Sequence, residues 1–120
     1  MRKVLLTVSS VLAILIFTSC CFAGFESGTS LANRWKEYKK KTSGQVGFNQ
    51  SDVDFYTGYV EGIADSNDGV LFSIPGGVNA AQVLSTVGKY LEDHPSDLKK
   101  PADFLVTQAL RVAYPLSGGE

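Results

Sequence analysis

The chain has 120 residues, with 11 Lys and Arg, 12 Asp and Glu, one His and two Cys. Both thiols, Cys20 and Cys21, fall in the first 23 residues, which read as an export leader. The exported chain from Gly24 therefore carries no cysteine, which excludes disulfide staples, thiolate metal sites and cysteine nucleophiles. Removing Arg2 and Lys3 with the leader leaves nine basic against twelve acidic residues, a formal charge of −3; nucleic acid is excluded as a partner because phosphate neutralisation needs a concentrated positive face.

The leader (residues 1–23) opens on Arg2 and Lys3 and continues as a hydrophobic run from Val4 to Phe17, shorter than the ~20 residues a spanning helix needs. Cys21-Phe22-Ala23 puts small residues at −3 and −1 of a cleavage before Gly24. An alternative reading takes Phe17-Thr18-Ser19-Cys20 as a degenerate lipobox with Cys20 lipidated. Phe17 is bulky for that motif, so simple secretion is preferred and contact with a membrane is confined to the leader or that anchor. The expected compartment is the periplasm. Residues 24–120 are enough for one domain and one core.

Apolar residues three and four apart dominate the remainder, which predicts an all-α domain: a compact bundle of about four helices. The first is expected from about Ser30 to Lys40, with Leu31, Trp35 and Tyr38 on one face. Lys36, Lys39, Lys40 and Lys41 cluster at its end. Cations there complement the helix dipole; a docking patch for an acidic partner is the competing reading. Thr42 to Gln50 is a Gly/Ser/Asn-rich loop. Ser51 with Asp54 suggests a capping box opening the second helix, whose buried stripe is Val53, Tyr56, Val60 and Ile63. Gly58 and Gly62 share a face of that helix at a cost of about 1 kcal/mol each relative to Ala, which suggests close approach of a neighbouring helix or a homodimer through that face.

Asn67-Asp68-Gly69 supplies a turn, and the apolar run Val70 to Ile74, closed by Pro75-Gly76-Gly77, is too short for a sheet. Asn79 and Gln82 form a capping box for the third helix, with Val83, Val87, Tyr90 and Leu91 inward and an end at His94-Pro95. The fourth helix is expected near Pro101, burying Ala102, Leu105, Ala109, Val112 and Ala113 and stopped by Pro115 and Gly118-Gly119.

Catalytic chemistry finds no purchase. His94 is the lone histidine, at a helix end, and zinc needs several ligands. Glu61 and Asp65, four apart, read as an exposed acidic face or a charged contact to a partner. Gly76-Gly77 lacks the Lys-Ser/Thr of a phosphate loop, and no cofactor motif occurs.

The ordered set Phe55-Tyr56-Thr57-Gly58-Tyr59-Val60-Glu61-Gly62-Ile63-Ala64-Asp65, Ile74-Pro75, Val87-Gly88-Lys89-Tyr90-Leu91-Glu92-Asp93-His94-Pro95 and Ala109-Leu110-Arg111-Val112-Ala113-Tyr114-Pro115 resembles the Rap/Tai immunity family over residues 55–115. The resemblance implies a small, exported, mainly helical periplasmic protein, not an enzyme, that binds and blocks a peptidoglycan amidase effector of type VI secretion. It also implies a disulfide between the positions occupied here by Ser73 and Leu116, both of which lack the thiol. Occlusion of an enzyme cleft needs a protruding element. Two are candidates: Val46, Gly47 and Phe48 in the first loop, and the stretch with Asn67, Asp68, Leu71 and Phe72 in the second. Core filling by Leu71 and Phe72 is the competing reading for the latter pair. A periplasmic helical scaffold without inhibitory role is the alternative function.

Overall fold

A computed structural model describes residues 25–117. The expected leader, its cleavage site, Cys20 and Gly118-Gly119 lie outside them. Four helices follow in order: α1 (Gly28–Thr42), α2 (Gln50–Asn67), α3 (Ala80–Asp93) and α4 (Ala102–Ala113), with a 3-10 turn at Pro95–Asp97. Among the described residues, β pairing is confined to two isolated bridges, Ser27 with Pro101 and Asp68 with Phe72.

The caps explain where each helix starts. Ser27 accepts from Ser30 N–H to open α1 two residues earlier than its apolar spacing suggests. For α2 the cap is Asn49, whose Oδ1 accepts from Asp52 N–H at 3.1 Å; the Ser51/Asp54 box is not used, because Asn49 already satisfies the first-turn donor. At α3 the Asn79/Gln82 box forms in both directions, at 2.8 and 2.9 Å. Pro101 precedes α4, where its missing N–H costs nothing.

The core joins Leu31 and Trp35 of α1, Tyr56, Val60 and Ala64 of α2, Val83, Leu84, Val87 and Leu91 of α3, and Ala102, Leu105, Val106, Ala109 and Leu110 of α4. The inward face of α4 thus differs from the expected one. Val106 and Leu110 are buried, while Val112 is 73% exposed and Ala113 is also exposed. Val112 has nearly the same angular position as Leu105, yet it stays exposed while Leu110 in the same turn is buried. Gly58 and Gly62 are also corrected. Both face solvent, and a Cβ at either would meet nothing within 4 Å, so among the described residues no neighbouring helix approaches there. The glycines that do permit close approach are Gly28 on α1, against Leu98 and Leu105, and Gly88 on α3, against which the Trp35 indole lies.

Trp35 stacks on Tyr38 at 5.6 Å, and both rings lie 5.5 Å from Tyr56. The buried Tyr56 hydroxyl donates to Leu84 C=O at 2.6 Å, and burial raises its pKa well above the usual phenol range. Arg34 Nε lies 3.3 Å from Glu26 and 3.8 Å from Asp52, with its guanidinium 3.6 Å over the Phe55 ring. Ahead of α1, Glu26 C=O accepts from Ala102 N–H, and Gly28 and Thr29 N–H donate to Lys100 and Leu98 C=O. Together these contacts lay α1 across one end of the molecule, over the start of α2, the end of α3 and the start of α4. The α2–α3 loop and the end of α4 meet at the opposite end, where Ser73 N–H donates to Tyr114 C=O at 2.9 Å.

Candidate functional site

The α2–α3 loop is held in one shape by its own bonds. Gly69 takes the left-handed conformation (φ +81°) that its turn requires. Its N–H donates to Phe72 C=O at 2.8 Å, and Val70 and Leu71 N–H both donate to Asn67 C=O at 3.0 Å. The side chains add to this. Asn67 Nδ2 donates to Ile63 C=O at 2.9 Å, and Asp68 Oδ1 accepts from Ile74 N–H at 2.8 Å. These roles tie Asn67 and Asp68 to the shape of the loop.

Phe72, expected among the contact residues, is 0% exposed and belongs to the core. Its burial pins the loop, because withdrawing a full phenyl ring from water outweighs the entropy of ordering a few residues. The ring's neighbours in sequence are pushed outward: Val70 is 65% exposed and Leu71 partly so. Val70 was invisible as a site residue because an apolar run of five does not say which member turns inward; the bridge at Asp68–Phe72 decides that. Leu116 follows the Tyr114 carbonyl that fixes Ser73, so the segments carrying Ser73 and Leu116 are joined by a backbone hydrogen bond. Leu116 and Val112 are exposed as well. This end of the molecule therefore presents a rigid apolar protrusion with further exposed apolar residues beside it.

Next to the protrusion a cleft of about 330 Å³ opens between the end of α2 and the start of α3, with Glu61, Asp65 and Asp68 on one wall and Ile74, Val78 and Val83 on the other. Asp65 sits in the last turn of α2, where the helix dipole disfavours negative charge and no basic residue offsets it, and Glu61 lies one turn earlier.

The other candidate loop is also ordered. Ser43, Gly44 and Gln45 N–H donate to Lys39, Lys41 and Lys40 C=O, and Gly44 and Gly47 take positive φ. Val46 is 94% exposed at its tip, Gly47 is exposed, and Phe48 is half-buried with Lys41 Nζ 5.9 Å from its ring. The structure places Val46–Phe48 and the α2–α3 loop on different elements and does not unite them in one site. His94 stacks on Tyr90 at 3.9 Å, and its Nδ1 lies 2.8 Å from Tyr90 C=O. Among the described residues, no group of three His, Cys, Asp or Glu side chains is placed to hold a metal ion.

Comparison with curated proteins returns no match. The family model of the Rap1a immunity proteins matches residues 27–116. That span runs from the cap of α1 to the residue after Tyr114-Pro115 and includes all four helices and both loops. The chain belongs to the Rap1a immunity protein family, whose members are binders of a cognate effector and not enzymes.

Proposed function

We propose that this protein works in the periplasm as the immunity partner of a type VI secretion peptidoglycan amidase, and that it blocks the amidase by seating the α2–α3 loop in the catalytic cleft. The observation that carries the reading is the protrusion itself. Val70 and Leu71 are exposed on a loop fixed from within by Phe72 and by the side chains of Asn67 and Asp68. A binder of this kind gains affinity because few rotamers are frozen on docking and apolar anchors enter a dry pocket.

The test is titration of the purified protein against any peptidoglycan amidase found encoded beside its gene. Stoichiometric inhibition is expected, and Val70→Asp should weaken it at least about 30-fold, the loss typical of an interface anchor, with no change in melting temperature. Full amidase activity at excess protein removes the reading for that enzyme. Inhibition unaffected by Val70→Asp and Leu71→Asp moves the contact elsewhere.

A further inference from the structure

The charge on α1 is unlike that of the helix it packs on. Arg34, Lys36, Lys39, Lys40 and Lys41 stand against the single carboxylate Glu37, whereas every charged residue of α2 is acidic. The helix dipole accounts for cations in the last turn, Lys39 to Lys41, but not for Lys36 one turn earlier. Lys36 and Lys39 form a ridge between two hollows. On one side an open groove of about 630 Å³ runs toward Lys40 and Ser43. On the other a narrower cleft of about 310 Å³ is walled by Ala32, Trp35, Leu91, Pro95 and Leu98.

The cleft is apolar inside and charged at its mouth. Glu92 also stands there, but its charge is already engaged: the carboxylate accepts from Trp35 Nε1–H at 2.7 Å and pairs with Lys39. Lys36 has only a 3.5 Å contact to Asn33 Oδ1, the outer limit of a hydrogen bond, which leaves its charge for an incoming group.

We propose that this cleft and lysine ridge recognise an acidic peptide segment of a partner protein that carries one apolar side chain. The apolar side chain seats against Ala32, Pro95 and Leu98, the lining residues that reach the surface, beside the edge of Trp35, and a flanking carboxylate lies on Lys36. A peptide is favoured over an anionic lipid surface because the apolar residues here line a hollow, whereas a bilayer takes up apolar residues that project. The site lies at the end of the molecule opposite Val70 and does not depend on which enzyme that loop blocks.

Trp35 is the only tryptophan of the chain and forms the cleft wall, so its fluorescence reads occupancy directly. The probe is a synthetic pentapeptide with one leucine flanked by aspartates and glutamates, titrated into the purified protein at low salt. A saturable change in emission is expected. Lys36→Glu should weaken it about tenfold, as should replacing the peptide's leucine by serine, whereas Lys99→Glu, a charge change outside the cleft lining, should leave it unchanged. The proposal is overturned by no response at millimolar peptide, by an equal response to a lysine-flanked leucine peptide, or by a Lys36→Glu titration equal to that of the unsubstituted protein. Phosphatidylglycerol vesicles that produce the same Lys36-dependent shift would overturn it in favour of a lipid surface. Unfolding curves of each variant separate a lost site from a lost fold.

Discussion

A methyl group added at Gly88 would occupy the space of the Trp35 indole, and that indole is held by Glu92 and by the Tyr38 and Tyr56 rings, so it has no room to withdraw. Gly88→Ala is expected to destabilise by about 1–3 kcal/mol in a denaturant titration, despite the helix propensity it gains. Gly58→Ala and Gly62→Ala meet open space and should each stabilise by about 0.5–1 kcal/mol. All four helical glycines, Gly28 included, are plain in the sequence. Which one faces an aromatic ring is not, because Trp35 and Gly88 are brought together by a packing 53 residues apart in the chain. Glu92 gives a pH signature. Its hydrogen bonds from Lys39 and Trp35 hold the carboxyl below the usual carboxylate range. A depressed folded value means that its contribution is present above the unfolded pKa of about 4.3 and is lost as pH falls through the folded one. Trp35 emission should therefore change on acidification to below the ordinary glutamate range, and Glu92→Gln should abolish that change; matching profiles for the two proteins would refute the link.

At the level of elements, the helices were legible wherever a cap coincided with an apolar stripe. The Asn79/Gln82 box and the Val83-Val87-Leu91 seam read directly from sequence and appear as read. Where two cap residues lie close together, as Asn49 and Ser51 do, sequence alone does not say which is used. Periodicity misassigned part of the buried face of α4, since angular position marks a buried face only where a partner covers it, and Val112 is exposed although it lines up with Leu105. The loops carried the least information. A five-residue apolar run with no period left Phe72 and Val70 indistinguishable until long-range contact sorted them. The meeting of the α2–α3 loop with the end of α4 bears a test of its own. Ser73 N–H already reaches Tyr114 C=O. Ser73→Cys with Leu116→Cys should therefore form a bridge on oxidation and, by closing a loop of about 40 residues, stabilise by about 2–4 kcal/mol. Equal melting temperatures under oxidising and reducing conditions would show that the pair does not close.

Over the whole molecule, fold class and family were visible in the sequence, because helix periodicity is local and the family's motifs keep their order. The placement of α1 across one end was not, since it rests on Arg34 with Asp52, Trp35 with Glu92 and Gly28 with Lys100, none of them neighbours in sequence. That placement separates the lysine cleft from the apolar protrusion. Sites that far apart with no shared partners should behave additively. Lys36→Glu is expected to leave amidase inhibition intact, Val70→Asp to leave the peptide response of Trp35 intact, and the double variant to lose both; a double variant that departs from the sum of the singles would reveal coupling between the ends.

The pairing of Glu26 and Gly28 with the strip from Lys100 to Ala102 has a practical side. Whatever is fused ahead of Phe25 leaves the body beside the lysine cleft, whereas a C-terminal fusion leaves from the segment bonded to Ser73, close to Val70 and Leu71. An affinity handle at the front keeps the surface around Val70 and Leu71 clear, and one at the back crowds it. Sensor-chip measurements made through the two handles should thus disagree in a direction that names which pole the captured partner uses.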